Sequence, residues 1–144
     1  MAFTGNFMCT SFKVELMTAT HDFTNSSGNT FNIAMYDNNS SFTVATTAYT
    51  ATDEVSGTAY VAKGNTLVNV TPTSSSTTAY TDFGDSTWSS STITARGAMI
   101  FNDTASGDPS VVILDFGSDK SSSSGDFTIV FPTGDSTSAI IRIA

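Results

Sequence analysis

The sequence predicts an all-β domain, an antiparallel β-sandwich or jelly-roll-like barrel with one short N-terminal helix. Three observations lead there. Serine and threonine supply roughly a third of the chain, while charged residues supply only 12%, about half the usual ~25%. Threonine suits pleated, half-buried strands, and Ser, Asn, Asp and Gly suit turns. Apolar residues alternate with polar ones in short runs, and turn clusters divide those runs into roughly eight to nine strands at sandwich or barrel spacing. The 144 residues form a single β domain, 1–144, with an apolar N-terminal arm over about residues 1–12. A chain of this length buries roughly 70% of its unfolded surface, enough to fold without staples.

The arm holds Phe3, Phe7, Met8 and Phe12. A helix is predicted over Thr10–Ala19, because Phe12, Leu16 and Ala19 recur at helical spacing and Thr10 or Ser11 can cap it. Lys13 and Glu15 would face water. The alternation of Phe12, Val14 and Leu16 leaves a strand as the alternative. After the turn cluster Asn25–Asn29, Phe31, Ile33 and Met35 alternate with Asn32, Ala34 and Tyr36, which predicts a half-buried strand. Phe42–Val44 reads as a brief strand and Thr46–Glu54 as irregular. Val55–Ala62 and Thr66–Val70 flank Lys63–Asn65, residues suited to a hairpin loop, and Pro72 limits the second run to an edge or a strand end.

Ser74–Ser76 reads as a break, Thr77–Phe83 as a strand, and Gly84–Ser86 as a turn that Trp88 follows. Ile93–Phe101 is the strongest central-strand candidate. Asn102–Pro109 is a turn. Val111–Phe116 is nearly all apolar, as a strand covered on both faces would be. Gly117–Gly125, with four consecutive serines, reads as a loop. Phe127, Ile129 and Phe131 alternate up to Pro132, and Ala139–Ile143 supplies the last strand. No fixed-period repeat points to a solenoid.

The formal net charge of −8, with five Lys or Arg, opposes nucleic-acid binding, which releases counterions to cationic side chains, and opposes anionic membranes. No apolar stretch approaches the ~20 residues that span a bilayer, and no basic, apolar leader opens the sequence. Cys9 is the only cysteine and His21 the only histidine. Together they cannot make a disulfide or a His/Cys zinc site. Cys9 reads as a small buried side chain, and His21, next to Asp22, as a solvent-facing or helix-end residue rather than a catalytic base. Calcium would need Asn102, Asp103 and Asp108 in one turn, or Asp115 and Asp119 across Gly117. Neither matches a twelve-residue calcium loop, and turn-forming Asp explains both. Asp-Phe-Gly occurs at Asp82–Gly84 and Asp115–Gly117 without the other kinase motifs, so it reads as strand-end turn chemistry. Asn25 and Asn102 open sequons that mean little without a secretory signal. Trp88 and the four tyrosines form a candidate sugar platform, though such rings more often fill cores or interfaces. Arg96 and Arg142 stand in apolar strands, where a charge wants a buried partner, a subunit interface or a solvated face. No catalytic, cofactor-binding or metal site is expected, and no cofactor.

The runs Asp82–Trp88, Ser91–Ile100, Val112–Lys120, Gly125–Pro132 and Ala139–Ala144, with Phe7–Leu16 and Thr30–Tyr36, resemble a family of small structural proteins in tailed-bacteriophage virions. The resemblance covers most of the chain and carries no catalytic motif. It implies a non-enzymatic capsid decoration (cement) protein, or else a tail or fibre component with a glycan-binding role. The implied partners are the major capsid protein and further copies of the chain, with a trimer favoured. The implied location is the virion exterior after synthesis in the host cytoplasm. An acidic protein suits the outside of a shell packed with DNA, and a trimer would cover strand edges. Phe3, Phe7, Met8 and Phe12 are then a candidate docking arm, with packing back on the domain as the alternative.

Overall fold

The computed structural model describes residues 3–144, and the predicted all-β architecture of two antiparallel sheets and one short helix is present in it. In chain order the elements are β1 (Phe7–Met8), α1 (Thr10–Met17), β2 (Phe31–Tyr36), β3 (Asn65–Thr66), β4 (Asn69–Ser75), β5 (Thr78–Phe83), β6 (Ser86–Asn102), β7 (Ser110–Ile129) and β8 (Ile141–Ile143). One sheet has the order β1-β7-β6-β2-β3 and the other β4-β5-β8.

The core centres on β2, which is covered on both faces and not half-buried as its alternation predicts. All six residues of β2 are buried, and β2 lies against the apolar half of β6, with Phe31 opposite Asn102 and Tyr36 opposite Gly97. An aromatic seam joins the sheets. Phe23 stacks on Phe31 with centroids 4.4 Å apart, Phe31 meets Phe83 of β5 at 5.7 Å, and Phe83 meets Phe131 at 5.8 Å. Such pairs each contribute about 0.5–1.5 kcal/mol beyond area burial.

The helix begins one residue earlier than its expected caps. Cys9 holds the N-cap position without a side-chain bond, so Thr10 and Ser11 lie inside the first turn. Phe12 anchors it in the core, and Ala19 (φ 57°) follows its end in the left-handed region. Glu15 does not simply face water, because its carboxylate meets His21.

Four expectations give way to the structure. Gly117–Gly125 is strand, not loop, and joins Val111–Phe116 to Phe127–Ile129 as one twenty-residue β7. Its partner β6 decides this. Ser121 and Thr128 lie across from Thr94 and Thr87, with hydroxyl pairs at 2.8 and 2.9 Å, and the Ser122 hydroxyl meets that of Ser91 at 2.7 Å. The residues that suggested a loop are absorbed as register shifts at Ser90, Gly117 and Ser124, all at positive φ. The hairpin of Val55–Ala62 with Thr66–Val70 does not form. Lys63 and Gly64 instead turn the chain onto the outer edge of β2, where Asn65 pairs with Ile33. At Gly64 (φ 67°) an added Cβ would stand 1.9 Å from the Ile33 carbonyl oxygen. Val55–Ala62 is irregular because a side chain replaces its ladder, the Tyr60 hydroxyl accepting the Met35 N–H at 2.9 Å. Finally, Phe42–Val44 is not a strand, and Ser74–Ser76 is no break, since Ser76 and Thr77 form the β4–β5 turn. Pro72 falls where expected, on edge strand β4 within the register shift between Val70 and Thr73.

Candidate functional site

The chemically capable side chains are held by internal bonds. Of the two places expected for His21, solvent-facing or helix-end, the first is not taken: the residue is buried just beyond α1. Its partner is Glu15 rather than Asp22, with Nε2 to Oε2 at 2.8 Å. The Asn102 amide sets its tautomer. Asn102 Oδ1 accepts the Thr104 and Ala105 N–H groups at 3.0 and 3.1 Å, so Nδ2 points at His21 Nδ1, 3.1 Å away, and donates to it. Nδ1 is therefore the acceptor and Nε2–H the donor to Glu15. Asn102, a sequon residue, has no exposed surface. Cys9 is fully buried, and that burial pushes its thiol above the ordinary range.

The first Asp-rich turn, weighed against calcium, already holds a cation of the chain itself. Lys63 Nζ lies 2.7 Å from Asp103 Oδ1 and 2.8 Å from Asp108 Oδ2, and 5.7 Å from the Tyr49 ring centroid. The two carboxylates raise the Lys63 pKa. Beside it, the Glu54 carboxylate accepts from the Tyr49 and Tyr60 hydroxyls at 2.6 and 2.7 Å and from the Lys63 N–H at 2.7 Å. Burial pushes Tyr49 up to about 12 and raises Tyr36 and Tyr60 well above the phenol range, with the Glu54 charge adding to each. The Tyr36 hydroxyl donates to the Thr50 carbonyl at 2.7 Å. These bonds stitch the irregular 46–64 segment to β2 and to the β6–β7 connection. In the second Asp-rich turn, Asp115 pairs with Arg96 at 3.1 Å and accepts the Gly117 N–H at 2.8 Å, while Asp119 is exposed. That places the second Asp-Phe-Gly inside β7 at a register shift rather than at a strand end. Among the described residues no group of three His, Cys, Asp or Glu is placed to hold a metal ion.

The sugar platform is not formed. Trp88 is 3% exposed, stacked behind Tyr60 at 6.0 Å and edge-on to Phe127 at 6.3 Å. The N-terminal arm divides. Phe3 and Phe12 are core residues, Phe3 meeting Phe42 at 5.7 Å. Phe7 and Met8 are half-buried in β1, where Phe7 pairs with Ile113 and Met8 with Val112.

Phe7 and Met8 open onto a concavity, an open groove of about 890 Å³. Its floor includes Leu114, Phe116, Phe127 and Ile129 of β7, and its far wall is the C-terminal segment around Ile140 and Arg142. A smaller hollow of about 310 Å³, lined by Met8, Thr78, Ile140 and Arg142, continues it toward the second sheet. The groove lies between two edge strands, since β1 ends one sheet and β8 ends the other. Sequence reasoning singled out Phe7, Met8 and Arg142, but missed Phe116, Lys120 and Ile140. Their signal is weak, because the segment around Lys120 reads as a loop until its pairing with β6 is known.

Comparison of the chain with protein-family models, with curated proteins and with solved structures finds no match.

Proposed function

We propose that this chain is a non-enzymatic virion structural protein, a capsid decoration (cement) protein that binds the outer face of the capsid shell and stabilises it. The observation that carries the reading is the open groove between two sheet edges, an apolar-floored surface. The resemblance of the β6, β7 and C-terminal runs to phage virion proteins supplies the partner, the major capsid protein. Binding alone suffices for such a role. A protein that binds only the assembled shell stabilises it by RT ln(1 + [L]/Kd), about 4 kcal/mol at a thousandfold excess over Kd. Exposed strand edges favour further copies as neighbours, with a trimer as the expected oligomer.

The test is to heat particles that carry the protein beside particles depleted of it. The depleted shells are expected to open at a lower temperature, and re-adding the chain to restore their resistance. Equal heat resistance overturns the reading. Electron microscopy with a label on the chain separates shell from tail: label at tail or fibre tips moves the protein there.

A further inference from the structure

We infer that the groove between β1 and β8 takes an extended, acidic segment of a partner polypeptide, an inference that rests on the docking reading above and names the chemistry of its occupant. Shape supplies the first part. A β-strand at the end of a sheet leaves one side of its backbone free to pair, and added strands bind by main-chain bonds while alternate side chains fill pockets. Here β1 and β8 are both end strands, and the floor between them is apolar, with Phe7, Met8, Phe116 and Ile140 all partly exposed. An extended segment fits that geometry.

Charge supplies the second part. The chain has five cationic side chains. Lys63 is held by Asp103 and Asp108, and Arg96 by Asp115. Of the remaining three, Lys13 is on α1, while Lys120 and Arg142 both line the groove, exposed and without a carboxylate partner among the described residues. Arg142 instead donates to the Thr137 carbonyl. Of the two acids of the groove, Asp115 is paired with Arg96, while Asp126 accepts the Ser90 N–H at 3.1 Å and keeps its charge. Two unpaired cations against one unpaired carboxylate leave the groove locally positive in a molecule of net charge −8, and complementary charge of this kind sets partner choice.

The test uses the full chain and two fluorescein-labelled decapeptides, one alternating valine with glutamate and one alternating valine with lysine, read by fluorescence anisotropy at low salt. The glutamate peptide is expected to bind at least tenfold more tightly than the lysine peptide. The double variant Lys120→Glu/Arg142→Glu is expected to lose at least tenfold for the glutamate peptide, with an unchanged thermal melt, while Lys13→Glu leaves binding as it was. Equal binding of the two peptides, absence of binding, or indifference to the double variant overturns the inference. So does a dimer in sedimentation that the double variant dissociates, because a second copy would then fill the groove. Shells that gain heat resistance from a chain that ignores both peptides refute this occupant alone; peptide binding without shell stabilisation refutes the cement role alone.

Discussion

Alkaline pH is expected to unfold this protein through its buried tyrosines. Tyr36, Tyr49 and Tyr60 hold their protons in the fold above the ordinary phenol pKa of about 10, first because burial disfavours the phenolate and then because Glu54 is close to each. A raised native pKa means that the folded state binds more protons than the unfolded one at high pH. The stability it represents is complete below about pH 10 and is lost as pH climbs, for Tyr49 until about 12, where its native hydroxyl ionises too. Each such phenol costs about 1.4 kcal/mol per pH unit above 10, and three together about 4 kcal/mol per unit. Against a total stability of about 5–15 kcal/mol, the fold should fail within about one to four units above pH 10. Urea titrations between about pH 8 and pH 11.5 measure this, read by the fluorescence of Trp88, the only tryptophan, which stacks on Tyr60. Tyr36→Phe should reduce the slope by about a third. A urea midpoint that stays flat up to about pH 11.5 refutes the reasoning.

Asp82 is 1% exposed, and burial raises its pKa, with Asp85 and Asp135 nearby adding to the rise. A raised carboxyl disfavours the fold above its unfolded pKa, so Asp82→Asn should raise the urea midpoint near pH 7 and leave it unmoved near pH 3, where both forms are neutral; a loss of stability at pH 7 would show that the bonds to the Phe83 and Ile140 N–H groups outweigh the buried charge. Gly97→Ala would place a methyl 2.3 Å from the Phe3 ring and 2.4 Å from the Leu114 carbonyl oxygen, so it should cost about 1–3 kcal/mol in urea unfolding. Paired with Phe3→Ala in a double-mutant cycle, the two costs should fall short of adding; full additivity would place Phe3 elsewhere.

Local patterns made much of the fold legible. The alternation in Phe31–Tyr36 marked the bounds of the strand but not its burial on both faces, which its place between β6 and β3 decides, and Ile93–Phe101 and Val111–Phe116 mark the paired core of β6 and β7. The helix was legible from Phe12 and Leu16, though not its N-cap, because Cys9 offers no capping oxygen to recognise. The serine-rich run of β7 was not legible. Hydroxyl side chains suit a strand face as well as a turn, so only a partner strand decides between them, and β6 is that partner.

The sequence by itself determined the all-β class, the scarcity of charge and the length of chain available to bury a core, because these depend on composition and on neighbours a few residues apart. Tertiary structure alone decided which acid meets which cation, that Trp88 is buried, and that Phe7, Phe116, Lys120 and Arg142 share one groove. Those outcomes depend on strand order and register, which bring together residues more than a hundred positions apart, as when Asn6 accepts the Asp115 N–H. No local periodicity encodes such a meeting; it follows from how two sheets close over one core.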